Sequence, residues 1–210
     1  MKKVITLGLA ATLIAGLGAA WAIQYQKKST PLVLTTSFEY PQKTPLRAFQ
    51  LTDQYGKVFD NSRLQGKWTL FFAGYTSCPD VCPTAMTKLA AAYPKLKAEA
   101  PFQIVFISVD PKRDSTKKLR DYTAFFNKEF IAVTGEHKQL LPITRNLGMA
   151  YAMVGDGDDY VVDHSASMTL VSPKGERVAI IKPSGEVGKV PQIKNKNLIA
   201  DIHQLINKLG

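Results

Sequence analysis

The segment from Trp68 to Pro83, read as Trp-Thr-Leu-Phe-Phe-Ala-Gly-Tyr-Thr-Ser-Cys-Pro-Asp-Val-Cys-Pro, constrains this chain more than any other. Trp68 to Phe72 is a short apolar run of the kind that forms a central strand, buried on both faces. Pro83 suits the first position of a helix, and Met86, Leu89, Tyr93 and Leu96 then fall on one helical face, with Pro94 as a kink. The chain has two cysteines, Cys78 and Cys82, and both lie where this strand gives way to this helix.

The remaining pattern alternates in the same way. Leu51 to Phe59 predicts a β-hairpin turning at Gly56, and Phe102 to Val109 a second buried strand. Asp114 or Ser115 is placed to cap a helix whose apolar face would be Leu119, Tyr122, Phe125 and Phe126. Phe130 to Thr134 returns as a strand, and Glu136 to Leu147 is a helix closed by Gly148. Met149 to Val154 and Tyr160 to Val162 flank an acidic turn. Met168 to Ser172 and Arg177 to Ile181 form a hairpin, and a final helix presents Leu198, Ile202, Leu205 and Leu209. Strands alternating with helices indicate an α/β sandwich, and a dithiol at a strand-helix junction points to a thioredoxin-like fold with an N-terminal β-hairpin extension.

The N-terminus divides from this domain. After Met1-Lys2-Lys3, residues 4–23 are uncharged and long enough to span a hydrocarbon core. Residues 1–23 read as a signal anchor, an N-terminal transmembrane helix; a cleaved signal peptide is the competing reading, because Ala20-Trp21-Ala22 mimics a small-x-small cleavage site. Residues 24–47, with Pro31, Pro41 and Pro45, read as a tether, and 48–210 as the folded domain. Either N-terminal reading exports the chain, and a bacterial inner membrane with the domain facing the periplasm fits best. Export and the scatter of lysines, without aromatic interleaving, argue against nucleic acid as the partner of a chain with net charge +10.

Cys78 and Cys82 can carry three chemistries. A thiol at a helix N-terminus has a lowered pKa, and its thiolate both binds soft metals and attacks disulfides. The third option, an inert disulfide, would close too small a loop to stabilise much. A closed metal site needs another donor, and the best candidate is His164, in an expected loop before the Met168 strand, which thioredoxin-like topology would place beside the strand preceding the cysteines. Asp80 and Asp163 are candidates to orient backbone or imidazole. His137 and His203 are expected to be solvated, and Met86, Met149, Met153 and Met168 to pack in the core. Asp110, Arg113 and Asp114 look like helix capping with a local ion pair. A thiol peroxidase would need Pro and Thr or Ser where this chain has Phe71 and Tyr75.

Three stretches carry a more specific likeness: Phe71 to Thr84, Ser108-Val-Asp-Pro-Lys-Arg-Asp-Ser115, and Val162-Asp-His-Ser165. Together they resemble the SCO/SenC family of copper-binding assembly factors for cytochrome c oxidase. The resemblance implies that Cys78, Cys82 and His164 bind copper, as copper(I) or copper(II). It implies a metallochaperone, not an enzyme in the strict sense, that receives copper from an upstream periplasmic donor. Its target would be the CuA centre of oxidase subunit II, or a related copper oxidase. The alternative is a thiol-disulfide reductase that keeps the oxidase's metal-binding cysteines reduced. Ser77 departs from the His that many members carry there, and Ser165-Ala-Ser167 stands where thioredoxins place a cis-proline.

Overall fold

The computed structural model describes residues 18, 21, 32–155, 157, 159–185 and 192–210. The expected membrane helix therefore falls outside the described residues apart from positions 18 and 21. Among the described residues no helix is long and apolar enough to cross a membrane.

The apolar runs form the middle of an eight-stranded sheet. β4 (Trp68–Gly74) is buried along its whole length and pairs in parallel with β5 (Phe102–Ser108), which is equally buried. The connection between them is the 19-residue helix α1 (Val81–Glu99). After α2 (Thr116–Phe126), β6 (Ile131–Thr134) adds in parallel to β5. β9 (Met168–Val171) lies antiparallel on the other side of β4, followed by β10 (Glu176–Ile181). The expected hairpin, β2 (Gln50–Asp53) and β3 (Val58–Asp60), extends the opposite edge by pairing β2 with β6. Gly56 takes φ +76 at its turn, a conformation that glycine adopts without a Cβ penalty.

Alternation along β4 splits the core in two, because successive side chains point to opposite faces. Leu70 and Phe72 pack with Met86, Leu89 and Leu96 of α1 and with Leu198, Ile202 and Leu205 of α4 (Asn195–Leu209). Phe71 and Ala73 pack on the other face, with Leu140 and Ile143 of α3 (His137–Asn146). α3 begins at a capping box between Glu136 and Gln139 and is followed by Gly148 at φ +75. The thioredoxin-like sandwich expected from the pattern is the observed architecture.

Three local expectations change. Ser37–Pro45, inside the supposed tether, is β1, an edge strand antiparallel to β10 with a register shift between Glu39 and Thr44. An outer strand tolerates Pro41 and Pro45, whose missing N–H groups would break an internal ladder. Its entry is tied down by Asp201 of α4, a buried carboxylate that accepts from the backbone N–H groups of Thr35, Thr36 and Ser37. α1 starts at Val81, two residues before Pro83, so Cys82 lies inside the first turn. On α2, Phe125 is 84% exposed; Leu119 and Thr123 are the buried positions of that short helix.

Candidate metal and thiol centre

The end of β4 and the start of α1 set the two sulfurs. The Cys78 N–H donates to the Tyr75 carbonyl at 3.3 Å, turning the chain back toward the helix. Asp80 occupies the N-cap but its carboxylate makes no capping bond, so the first amides of α1 remain open to another acceptor. Cys78 Sγ takes that place, accepting from the Cys82 N–H at 3.5 Å. Cys82 is buried while Cys78 is half-buried, and both are free thiols. Space for the inner sulfur comes from Gly74, where a Cβ would stand 2.7 Å from Cys82 Sγ.

His164 arrives from a separate hairpin. β7 (Tyr151–Val154) and β8 (Val161–His164) form their own two-stranded sheet, and His164 closes β8; it does not sit in the expected loop. The antiparallel pairing of β9 with β4 is nonetheless the one that the topology required. His164 Nε2 lies 3.3 Å from Cys82 Sγ. Its Nδ1 faces the Ser165 carbonyl at 3.2 Å, so the two ring nitrogens are engaged on opposite sides, one by backbone and one by sulfur. The imidazole meets Phe72 and Tyr75 edge-on, at 6.2 and 5.9 Å between centroids. Donor atoms of Cys78, Cys82 and His164 all lie within 4.8 Å of one another. Tyr75, Pro79, Val81, Val161 and Ala166 wall the cleft above them.

The electrostatics of the pair are unequal. Cys78 is pulled down to about 3, chiefly by a hydrogen bond from the Cys82 thiol and against the effect of burial; His164 and the backbone N–H groups of Cys82 and Asp80 help. Cys82 is pushed well above the ordinary thiol range, because its proton is the one shared with Cys78 and because it is buried. Two adjacent sulfurs, one buried and one half-buried, thus hold one negative charge between them.

Other candidate residues divide. Asp80 contributes its backbone, while its exposed carboxylate reaches Thr84 Oγ1 at 3.5 Å. Asp163 is exposed, and the acceptor that faces the imidazole is the Ser165 carbonyl instead of its carboxylate. His137 is exposed and bonds to Tyr151 Oη at 2.9 Å. His203 is less solvated than expected, half-buried 3.8 Å from Glu99. Met86, Met149 and Met168 are core residues, whereas Met153 is partly exposed.

The Asp110–Ser115 turn does more than cap a helix. Ser115 provides the cap of α2. Asp114, buried, accepts from the Thr76 N–H at 2.9 Å, from Thr76 Oγ1 at 2.6 Å and from Ser108 Oγ at 2.6 Å, fixing the loop that delivers Cys78. Asp110 and Arg113 reach across to Tyr160, just before β8. Sequence reasoning missed Thr76 and Tyr160; the signal available was a hydroxyl two residues before Cys78 facing an aspartate-rich turn.

A family model described as SCO1/SenC matches residues 39–199. A SCO2-like protein of Rickettsia conorii is 34% identical over 181 residues, covering 83% of this chain and 88% of that protein. Copper-bound ScoI of Arabidopsis thaliana aligns with a TM-score of 0.66 at 32% identity, over 77% of this chain and 99% of the other. Apo Sco1 of Thermus thermophilus gives 0.67 at 27% identity, over 82% and 98%.

Proposed function

The chain belongs to the SCO1/SenC family, and from that premise we propose that it is a metallochaperone whose Cys78, Cys82 and His164 hold copper as cargo. The observation that carries this reading is the convergence of two sulfurs and one imidazole nitrogen within 4.8 Å. The donor set fits the ion. Thiolates suit soft copper(I), and an added imidazole raises the donor number and suits copper(II), so one site can accept either state. Cys78 is ionised before metal arrives, and the open wall beside it gives a partner's donors access for ligand exchange. The receiving protein in this proposal is cytochrome c oxidase, at the CuA centre of subunit II, and the supplier is a periplasmic copper donor. An N-terminal anchor in a bacterial inner membrane would hold the domain on the periplasmic side; the apolar residues 4–23 support it.

A second reading is favoured by the asymmetry of the thiols. Half-buried Cys78 is the ionised, accessible sulfur, and buried Cys82 stands next to it as a resolving thiol. Cys78 would attack a target disulfide and form a mixed disulfide. Cys82 would then displace it, leaving the target dithiol reduced and Cys78 and Cys82 oxidised to a disulfide. His164 is not needed for this chemistry.

Titration of the reduced full chain with copper(I) and copper(II) against a moderate competitor, repeated with His164→Ala and Cys78→Ala, separates the two. Copper held by the wild type and lost in Cys78→Ala supports the chaperone. A wild type that holds neither state sinks it, and copper(II) binding untouched by His164→Ala removes the histidine from the ligand set.

A further inference from the structure

The third donor stands on a hairpin that the main sheet does not hold. Among the described residues β7 and β8 pair with each other and with no strand of the eight-stranded sheet. No ladder therefore fixes His164 relative to the cysteines, yet its Nε2 lies 3.3 Å from Cys82 Sγ. Something else must set that distance.

The contacts converge on Tyr160, the residue that leads into β8. Its phenol O–H donates to Asp110 Oδ1 at 2.5 Å, and its carbonyl accepts from Arg113 Nη1 at 3.0 Å. The Arg113 guanidinium also lies over the Tyr160 ring, 3.9 Å from the centroid. Asp110 Oδ2 accepts from Arg113 Nε at 2.5 Å, so the acid and the base brace each other while both grip the same tyrosine. Asp110 is fully buried and Tyr160 nearly so. The bond between the Tyr160 phenol and Asp110 is shielded from water, and charge-assisted hydrogen bonds in such surroundings are the strong ones. A local ion pair needs none of the links to a residue 50 positions away. The same guanidinium stands 5.5 Å from the ring of Tyr75, which in turn meets the imidazole edge-on.

One turn between β5 and α2 thus holds both halves of the centre. Asp114 fixes Thr76 and the cysteine loop, and four residues earlier Asp110, with Arg113, fixes the histidine hairpin. We infer that Asp110, Arg113 and Tyr160 are positioning residues that set the approach of His164 to the two sulfurs, and with it the balance between two-donor and three-donor binding at the site. The metal-binding consequence rests on the copper reading above; the mechanical part does not. Two thiolates satisfy copper(I), whereas copper(II) gains from the imidazole, so a loosened hairpin weakens the oxidised ion selectively.

The test uses the full chain with Tyr160→Phe, which deletes one O–H and keeps the ring, and Arg113→Lys, which keeps the charge beside Asp110 but loses the guanidinium fork. In metal-free protein, hydrogen exchange of the Val161 to His164 amides should quicken in both variants. Copper(II) affinity should fall about tenfold, the usual scale for groups that orient a ligand, while copper(I) affinity stays within about twofold. In a His164→Ala background Tyr160→Phe should cause no further loss of copper(II). Equal losses for both oxidation states, a full further loss in the His164→Ala background, or unchanged exchange would each overturn the inference. A wild type that binds neither ion overturns the copper reading instead, and the exchange measurement then decides the positioning role by itself.

Discussion

Gly74→Ala is a one-carbon change aimed at the inner sulfur. An added Cβ would stand 2.7 Å from Cys82 Sγ and 2.8 Å from Phe106 Cε2, where ordinary contacts begin near 3.4 Å. Cys82 and Phe106 are both fully buried, so neither has open space to enter. Relief requires that the sulfur or the ring give way by about 0.7 Å, and overpacking of this kind costs about 1–3 kcal/mol. For a domain of this size that corresponds to a fall in Tm of about 3–10 °C. Since Cys82 is one of two proposed sulfur donors, copper(I) affinity should fall as well, by roughly tenfold. Gly66→Ala is the control. Gly66 has φ +74 with no atom within 4 Å of the added carbon, so alanine there costs about 1–2 kcal/mol of backbone strain and displaces no sulfur. Thermal unfolding of the reduced, metal-free protein and competition titration with copper(I) read both effects. A Gly74→Ala variant that melts and binds like wild type would refute the reasoning, and so would a Gly66→Ala variant that loses as much affinity.

Two other outcomes are expected. Asp114→Ala strands the Ser108 hydroxyl in the core and frees the Thr76 amide; it should cost about 2–3 kcal/mol, measured by urea unfolding. Asp114→Asn should cost less, because its amide can still accept from Ser108 and donate to Thr76 Oγ1, and equal losses for the two variants would remove the hydrogen-bond account. Alkylation of the reduced protein should strike Cys78 first, at a rate nearly flat from pH 5 to 8, since its pKa is about 3; a rate climbing tenfold per pH unit over that range, followed by mass spectrometry, would contradict the thiolate. The linkage has a definite sign. A depressed Cys78 contributes stability that is present above its unfolded value of 9.0 and is lost as pH falls through about 3, whereas raised Cys82 removes stability above pH 9.

Chemistry was more legible in the sequence than mechanics. Buried strands announce themselves, because β4 and β5 must be apolar on both faces, and donors of soft metals are few, so Cys78 and Cys82 stood out by residue type and His164 by its expected place before the Met168 strand. β1 was hidden because Pro41 and Pro45 signal irregular chain unless the strand is known to lie at an edge. Phe125 misled because helical spacing places it on the apolar face, while α2 is short and buries little beyond Leu119 and Thr123. The bonds of Tyr160 with Asp110 and Arg113 had no local signature, since 50 and 47 residues separate partners that meet only after the hairpin folds over the turn. Asp163 illustrates the converse. Adjacency to His164 in sequence suggested a partner, but alternation along β8 sends neighbouring side chains to opposite faces, and the carbonyl of Ser165 meets the imidazole.

The charge at the centre favours an imidazole over a carboxylate as the proposed third donor. Two thiolates side by side in a buried site repel, so the metal-free pair holds one proton between them, with Cys78 ionised and Cys82 protonated. A carboxylate as third donor would add a second negative charge to that pocket and raise the cost of the empty state. Imidazole adds a donor without adding charge. Replacing the shared proton by copper(I) leaves the site at the same net charge, and copper(II) leaves it neutral, so neither ion demands a counter-charge from the protein. The exposure of the Asp80 and Asp163 carboxylates, both adjacent to the cleft yet turned to solvent, follows the same logic.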